Sequence, residues 1–505
     1  MRVPAVPPRA AVPGAVLFAL VIVFVVAWAT QPGAAQATGP RGQSVAVTSV
    51  ERSCPPAAPG AAATTISMIA LPGTSSVTAG GGAAAARPAA SPTGRATFSG
   101  ILAAPAVGKK SSGGKSSPPV KPVTVTAPGT VATVTAPGGG GAAVTATGQL
   151  AEGFEAEQTD RSGTGVVSCT HPGSNMWFVG TGQADGASQV WLYLMNTGNI
   201  TASADVTILT DTGQQNAMAS AVTVNSNQFA SVNVTPYVRG SQAIALHVQA
   251  GTGQVAAAVW EGGSGGGAWL PQANNPATSL VIPGLTVASS AAKLFVVVPG
   301  GTDAKVTAVA YTPAGASPQF PGAPVDATAG AATALALSSL GASAAGLKLT
   351  STVPIVAGVL VPGTGIGSFT TAVRPLTEQG VVAASPAGKG VTVGLLLTAP
   401  AAARATISVI SADGTVTTPA GDQNVTVNAK HTLAVRIPRP SDAGRRPFAI
   451  VVTPEPGSGP IYAARVVTSG AGGMSAPLSS LLPVSSAMTL ITLPPAQNSY
   501  TAVLP

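Results

Sequence analysis

The chain has 505 residues, of which only 8% are Asp, Glu, Lys or Arg, and it carries a formal net charge of +8. This length allows about three domains of roughly 150 residues each. The positive charge is concentrated in residues 1–121, with ten basic residues and one acid, whereas residues 122–505 hold fourteen basic and fifteen acidic residues. The body is therefore nearly neutral and has no basic face interleaved with aromatic residues, which argues against nucleic-acid binding.

The N-terminal segment has the three parts of an export signal. An apolar run spans residues 15–29, follows Arg2 and Arg9, and precedes Ala35-Gln36-Ala37. We interpret residues 1–38 as a cleaved signal peptide or as a retained one-pass anchor formed by residues 15–30. In both cases the rest of the chain is expected outside the cytoplasm, and it contacts the membrane only through this segment if the segment is uncleaved.

The chain has two cysteines, Cys54 and Cys169, and both follow the export segment. An oxidising compartment favours a disulfide between them, which would close a loop of about 115 residues and contribute roughly 4 to 5 kcal/mol in the chain-entropy model. Two buried thiols are the alternative. A metal or redox role is disfavoured because no CxxC or paired Cys/His spacing is present.

The remaining chain divides into segments of different composition. Residues 39–104 form an N-terminal β segment with a Gly/Ala-rich loop, and residues 105–148 are rich in Gly, Ser and Pro, which predicts a linker. From about residue 149 onward, strand-like runs recur with a period near 100 residues. We therefore predict three repeats, at 149–285, 286–385 and 386–505.

The recurring runs predict an all-β fold. The repeats open with VWLYLM at 190–195, KLFVVV at 293–298 and VTVGLLL at 391–397, and apolar residues alternate with other residues within such runs. Short strands with Gly and Pro between them indicate three tandem β-sandwich-like, immunoglobulin-like repeats. A β-propeller-like arrangement is the alternative. The sequence leaves open whether the repeats form a stalk or close on one another.

Aromatic residues are concentrated in the first predicted repeat. Because aromatic rings stack on sugars and anchor protein interfaces, these residues are candidate contacts to a glycan or a partner, and the alternative is that they fill a larger core. The glycan interpretation requires at least two tryptophans exposed together on one face. The candidates are Trp177, Phe178, Trp191, Tyr193, Trp260 and Trp269.

Motifs for catalysis or for holding a cofactor are weak. The three histidines, His171, His247 and His431, lie in separate segments without metal-ligand spacing. Residues 262–266 match GxSxG, but a glycine run without a following helix indicates a flexible loop instead of a nucleophile elbow. We predict no catalytic residues, no metal and no cofactor.

One acidic cluster stands out, because Glu152, Glu155 and Glu157 lie within six residues of one another in AEGFEAEQTD. A glycosidase needs two carboxylates that face each other across a sugar. Distances in space do not follow from the sequence, and we interpret the cluster as a polar turn.

The chain resembles an actinobacterial family of exported proteins known as domain of unknown function 5719. The resemblance rests on Cys54-Pro55 early in the mature chain, Cys169 shortly before Trp177-Phe178, and the repeated strand runs. Membership implies an extracytoplasmic location in a high-GC actinobacterium and an association with envelope glycosyltransferases, but it implies no activity.

Three function classes follow from these observations. The first is a non-enzymatic extracytoplasmic envelope protein that serves as a scaffold or docking protein, with an envelope protein or the surface-polysaccharide machinery as partner. The second is a glycan-binding module that uses the aromatic residues of the first repeat. The third, an enzyme, would require a Ser-His-acid set or a carboxylate pair to converge from distant segments.

Overall fold

A computed structural model describes most of the chain outside the N-terminal segment. The described residues are 43–71, 94–104, 123–160, 165–182, 189–215, 221–263, 266–286, 292–320, 324–337, 344–363, 366–441, 443–475 and 478–493. The predicted export segment, the predicted loop at 79–92 and the first part of the predicted linker lie outside them. Within the described ranges, no helix has the length and apolar character that crossing a membrane requires.

The prediction of an all-β fold is confirmed. The described helices are three one-turn 3-10 helices, at Gly148–Leu150, Thr235–Tyr237 and Gly473–Ser475, and the other regular elements are strands. The Val, Thr and Ala that dominate these strands fit a pleated, half-buried surface, and Gly and Pro separate them.

The N-terminal sandwich consists of eight strands in two sheets. They are β2 (Ser49–Cys54), β3 (Ala63–Ile69), β4 (Arg95–Ala103), β5 (Val123–Val125), β6 (Ala132–Pro137), β7 (Gly141–Thr147), β8 (Glu155–Asp160) and β9 (Val166–Ser168). One sheet has the order β2-β7-β4 with β5 beside β4, and the other has the order β6-β3-β8-β9. Buried residues of both sheets, including Phe98 and Ile66, form one core.

Sandwich 1 follows with nine strands. They are β10 (Asn175–Thr181), β11 (Gln189–Asn196), β12 (Ala202–Thr210), β13 (Gly213–Gln215), β14 (Val222–Val224), β15 (Gln228–Asn233), β16 (Ala243–Thr252), β17 (Ala256–Gly263) and β18 (Gly266–Leu270). One sheet has the order β10-β16-β12-β13 with β14 beside β12, and the other contains β15-β11-β17-β18.

Sandwich 2 uses one long strand for both of its sheets. Its strands are β19 (Ala277–Thr286), β20 (Lys293–Val297), β21 (Ala304–Thr312), β22 (Gly315–Pro318), β23 (Val325–Ala327), β24 (Ala332–Ala336), β25 (Ala344–Val361) and β26 (Ser368–Thr371). The first half of β25 pairs with β19 and β21, and its second half pairs with β20 and β26. This strand therefore passes from one sheet to the other.

Sandwich 3 repeats the arrangement of sandwich 1. Its strands are β27 (Gly380–Ser385), β28 (Val391–Ala399), β29 (Ala403–Ile410), β30 (Val416–Thr417), β31 (Val425–Val427), β32 (His431–Ile437), β33 (Phe448–Pro454), β34 (Tyr462–Ser469) and β35 (Leu478–Val484). The two sheets have the orders β27-β33-β29-β30, with β31 beside β29, and β32-β28-β34-β35.

The same pairing order recurs in all four sandwiches. The runs aligned in the sequence occupy equivalent places, since VWLYLM forms β11, KLFVVV forms β20 and VTVGLLL forms β28. The N-terminal sandwich has this order too, with β2, β7 and β4 in the places of β10, β16 and β12. Among its described residues, the N-terminal sandwich has no strand in the place that β13 occupies in sandwich 1.

The N-terminal sandwich corrects two of the predicted boundaries. The interpretation of residues 105–148 as a linker was wrong for 123–147, which form β5, β6 and β7, and residues 149–168 belong to this sandwich instead of the first repeat. The physical reason is that the alternating Val, Thr and Ala of VTVTAPGTVATVTAPG are adequate strand formers once another sheet covers one face.

The four sandwiches close into a ring, in which one sheet of each packs against a sheet of the next. Residues of successive sandwiches share buried clusters, and the last sandwich packs on the first. The contacts involve Ile101 with Phe229 and Trp260, Val179 with Phe295 and Phe369, Ile282 with Leu396 and Leu481, and Leu71 with Val381 and Val451.

Backbone pairing also joins neighbouring parts of the ring. Parallel pairing of β15 with β4 makes one eight-stranded sheet that extends from sandwich 1 into the N-terminal sandwich. The backbone after β35 returns to the N-terminal sandwich, where Val47 N donates to Thr489 O at 3.0 Å and Gly153 N donates to Met488 O at 3.1 Å. The repeating unit is thus a sandwich. The protein as a whole shares with a β-propeller the arrangement of its units in a closed ring.

These contacts lie within one compact unit, residues 46–490. A second unit comprises residues 1–45 and 491–505. In the described part of the chain ends, β1 (Gln43–Ala46) pairs with β36 (Leu490–Leu493) in a two-stranded sheet.

Candidate functional site

The last strands of the four sandwiches meet at the centre of the ring. Strand β18 contacts β9 and β26, and β35 contacts the same two strands from the other side. A cavity of about 270 Å³ lies at this meeting point and is lined by residues of the N-terminal sandwich, sandwich 1 and sandwich 3, together with Val373 after sandwich 2. We call it the junction cavity.

A buried ion pair forms one wall of the junction cavity. Arg52 Nη2 lies 2.6 Å from Glu155 Oε1, and Arg52 Nε donates to Glu155 Oε2 at 3.3 Å. Arg52 Nη2 also donates to Phe154 O at 3.3 Å. Burial raises the pKa of Glu155, and the charge and hydrogen bonds of Arg52 oppose this effect.

The disulfide and a histidine form the rim beside this ion pair. Cys54 and Cys169 are bonded, as predicted. The bond positions the segment that carries His171, whose exposed ring places Nδ1 3.1 Å from Glu51 O. In the neutral ring the Nδ1 proton is donated to this carbonyl, which leaves Nε2 as an acceptor.

Sandwich 1 supplies the opposite wall. Trp269 lines the cavity at the end of β18 and packs against Tyr193, with ring centroids 5.8 Å apart and planes tilted by 51°. Exposed Gln272 follows it in the lining and brings an amide that can both donate and accept hydrogen bonds. An aromatic side chain, an amide and an ion pair therefore face one small space.

The junction cavity brings His171, Glu155 and two serines, Ser485 and Ser486, into one lining. Their hydrogen bonds lead elsewhere: Glu155 binds Arg52, His171 faces a backbone carbonyl, and Ser486 Oγ accepts from Thr377 N at 3.0 Å. A nucleophile requires a base within hydrogen-bond reach. The lining is consequently suited to holding a ligand by its polar groups.

The structure buries five of the six aromatic candidates in the first repeat. The exposed fractions are 1% for Phe178, 4% for Trp177, 5% for Tyr193 and Trp269, and 9% for Trp260, whereas Trp191 is partly exposed. The requirement for two tryptophans exposed together is not met among the described residues. Trp260, Trp269, Tyr193 and Phe229 instead fill the contact between sandwich 1 and the N-terminal sandwich.

Local packing explains the burial of two tryptophans. Gly262 and Gly267 lie against the Trp260 ring, so that a Cβ at either position would collide with it. The first glycine of the GxSxG match and the glycine that follows the match therefore lie beside the same indole. Trp177 is covered by His247, whose ring stacks on it at 3.8 Å between centroids with 8° between planes.

The three histidines remain apart. His247 Nε2 lies 2.6 Å from Asn175 Oδ1, and His431 Nδ1 lies 2.7 Å from Ala429 O. Among the described residues, no group of three His, Cys, Asp or Glu side chains could hold a metal ion.

Glu261 is a buried carboxyl group inside sandwich 1. Its Oε2 accepts from Thr181 N at 3.2 Å and from Thr181 Oγ1 at 2.9 Å, while Oε1 has no hydrogen-bond partner in the described structure. Burial raises the pKa of Glu261 to about 8, although the Thr181 hydrogen bonds oppose the shift.

The sequence pointed to part of this site. The acidic cluster places Glu155 and Glu157 on the same face of β8, and each pairs with an arginine, Arg52 and Arg465 respectively. Nothing in the sequence singled out the two arginines or Gln272, because the partner of Arg52 is 103 residues away and the partner of Arg465 belongs to another sandwich.

Comparison with known proteins gives one family match. The model described as "Family of unknown function (DUF5719)" matches residues 120–438, which is more than half of the chain. The matched range includes Cys169 and Trp177-Phe178 but not Cys54-Pro55, and it covers sandwiches 1 and 2 with parts of their neighbours. No curated protein matches the chain.

Proposed function

The chain belongs to the DUF5719 family, whose function is unknown, and we propose that it is a non-enzymatic scaffold or docking protein of the cell envelope. Its body lies outside the cytoplasm, and its partner is an envelope protein or a component of the surface-polysaccharide machinery. The junction cavity is the docking site.

The location is supported by two features of the chain. The apolar run at residues 15–29 has the flanks of an export signal. The disulfide between Cys54 and Cys169 fits an oxidising compartment, since such bonds are rare in the cytosol.

The single observation that carries the docking role is the position of the junction cavity. A small cavity that is lined from several rigid sandwiches at the centre of a closed ring is preorganised, which lowers the cost of binding. Arg52 bonds Glu155, while His171 and Ser486 are held by backbone groups outside the lining, so that these side chains are positioned before a partner arrives.

Site-specific photo-cross-linking tests this proposal. The cross-linker p-benzoylphenylalanine replaces exposed Gln272 or Ser485 in the full chain, expressed in its native cells, and exposed Ile200 is the control position away from the cavity. We expect one envelope protein to be cross-linked from both cavity positions and not from Ile200. Equal adducts from all three positions, or no adduct from the cavity, would contradict the proposal.

Glycan binding is a second candidate, favoured by one observation. Exposed Gln272 and His171 line the same cavity beside the 5% exposed Trp269, and these hydrogen-bonding side chains could bind the hydroxyl groups of a sugar. The space of about 270 Å³ would limit binding to a small part of a glycan chain.

The two candidates differ in their response to purified cell-wall polysaccharide. If the cavity binds glycan, the detergent-solubilised full chain retains polysaccharide, and the exposed-residue variants His171→Ala and Gln272→Ala lose it while Ile200→Ala does not. Retention that is absent, or that is the same in all variants, removes the glycan candidate.

A further inference from the structure

Sandwich 3 carries a groove at one end, away from the junction lining. The groove has a volume of about 380 Å³ and lies between the turn that precedes β28 and the end of β32. Phe448, Ile437 and Val393 form apolar lining, and Arg436 and Arg439 supply its charge. We call it the arginine groove.

The arginine groove is surrounded by further cations. Lys389 follows the lining residue Gly388, and Arg445 and Arg446 lie just before the strand that begins at Phe448, with Pro447 between. All five cationic side chains are exposed. These five cations are a local concentration of positive charge, because residues 122–505 as a whole hold fourteen basic and fifteen acidic residues.

These cations have few internal partners. Ion pairs elsewhere in the described residues engage other basic side chains, such as Arg52, Lys305, Arg404 and Arg465. Arg439 Nη1 donates to Ala387 O at 2.9 Å, which holds its guanidinium across the groove and leaves its other N–H groups available. Two guanidinium groups in one groove match the geometry of a phosphate, which accepts paired N–H donors.

An exposed apolar rim adjoins the groove. A neighbouring pocket of about 410 Å³ shares Pro438 and Arg439 with it and is also lined by Pro440, Thr415 and Thr417. The apolar part of this rim includes Pro438, which is exposed, and Pro440. The same pocket contains one acid, Asp413.

We propose that the arginine groove binds the phosphate of an anionic phospholipid and seats sandwich 3 on a membrane surface. A free phosphate would require only the arginines, whereas a lipid surface also uses the outer cations and the apolar rim. Basic side chains near an anionic membrane attract it, and an adjacent apolar side chain can enter the interface. This inference is independent of the junction cavity.

A fluorescent label beside the groove tests the proposal. Both native cysteines are engaged in the disulfide, so Ser441→Cys gives the full chain a single site for an environment-sensitive dye. The chain is reconstituted in vesicles of phosphatidylcholine alone or with phosphatidylglycerol. Because residues 1–121 also carry a net positive charge and are present in every sample, the comparison of the unaltered chain with groove variants reports on the groove.

We expect a blue shift of the dye only in vesicles that contain phosphatidylglycerol, and its loss at high salt. The variant R436Q/R439Q requires at least about tenfold more phosphatidylglycerol for the same shift. Removal of two exposed cations elsewhere, in K305Q/R404Q, leaves the shift unchanged. Circular dichroism and thermal unfolding confirm that both variants fold.

Three outcomes would overturn the proposal. The first is the absence of a shift with phosphatidylglycerol. The second is an equal effect of the two double variants, which would indicate a general charge effect. The third is a shift produced by inorganic phosphate in phosphatidylcholine vesicles, which would make the groove a site for soluble phosphate.

Discussion

Glu157 and Arg465 lie 308 residues apart in the chain and form a buried ion pair, with 2.7 Å between Oε1 and Nη1. Glu157 belongs to β8 of the N-terminal sandwich, and Arg465 belongs to β34 of sandwich 3. Ala384 joins them, because its N–H donates to Glu157 Oε2 at 3.3 Å and its carbonyl accepts from Arg465. This polar cluster lies at the contact that closes the ring.

Loss of one partner of this ion pair is expected to destabilise the protein strongly. Arg465→Met leaves the Glu157 carboxylate buried without its counter-charge, which costs about 3 to 5 kcal/mol. The double variant E157Q/R465M should lose less unfolding free energy than the losses of Glu157→Gln and Arg465→Met added together, because it leaves no uncompensated charge. Denaturant unfolding midpoints provide the measurement.

The control for this prediction is Lys305→Met, which removes an exposed ion pair with Asp326. Exposed ion pairs contribute little to stability. If Arg465→Met and Lys305→Met lower the unfolding midpoint equally, the buried ion pair does not stabilise the ring closure.

Stability should fall with rising pH because of Glu261. Its pKa is about 8 in the folded chain, against an ordinary value of 4.5. Between these values the folded state holds a proton that the unfolded state has released, so that the free energy of unfolding decreases by up to about 1.4 kcal/mol per pH unit. This contribution is complete below pH 4.5 and is lost as the pH rises through 8.

The test compares thermal unfolding of the wild type and Glu261→Gln from pH 5 to pH 8. The amide keeps an acceptor for Thr181 but does not ionise, so we expect the variant to gain stability relative to the wild type as the pH rises. The comparison removes the effect of other titrating groups. A difference that stays constant over this range would show that Glu261 does not titrate as its burial implies.

Gly346 is expected to be required at the contact between sandwiches 2 and 3. A Cβ at this position on β25 would collide with the side chain of Thr398 on β28, which is itself bonded to Thr432. Gly346→Ala should therefore cost about 1 to 3 kcal/mol through overpacking. Addition of Thr398→Ala should recover part of this loss, because it removes two of the three obstructing atoms.

Gly300 provides a matched control for Gly346. No atom lies within 4 Å of a Cβ added at Gly300. Gly300→Ala should leave the unfolding temperature nearly unchanged. An equal loss in both alanine variants would mean that a general effect of replacing glycine on the folded backbone, and not the contact between the sandwiches, determines the result.

The disulfide should account for a measurable part of the stability. Cys54 and Cys169 are 115 positions apart, and in the chain-entropy model a loop of that size contributes roughly 4 to 5 kcal/mol. We expect a reducing agent to lower the unfolding temperature of the wild type to that of the C54A/C169A variant. The variant itself should not respond to the reducing agent, and a response would reveal an effect of the reagent unrelated to this bond.

The sequence predicted the positions of the main strands better than it predicted how strands of different sandwiches pair. The recurrence of apolar, strand-like runs located β11, β20 and β28, because each run carries enough apolar side chains to mark a buried strand. The same signal was weak in β5 to β7, where the buried residues are small Ala and Val, and composition there favoured a linker. Pairing across sandwiches, as between β15 and β4, has no local signal.

The candidate site shows the same limit. The sequence located Glu155, Glu157, His171 and the cysteines as unusual residues, but the partners of the glutamates, Arg52 and Arg465, are about 100 and 308 positions away. The aromatic residues were correctly recognised as a concentration, whereas their burial depends on a neighbouring sandwich that covers them. Arg436 and Arg439 are three positions apart and ordinary in sequence, and only the structure shows that both line a groove.

The closed ring also imposes an order of events during synthesis. The face of the N-terminal sandwich that bears Ile69, Leu71 and Val131 is covered by Val381 and Val451 of sandwich 3. Because synthesis proceeds from the N-terminus, this apolar face stays exposed until most of sandwich 3 has been synthesised. A chain truncated before residue 380 would retain that open face, and we expect it to be held by chaperones or degraded.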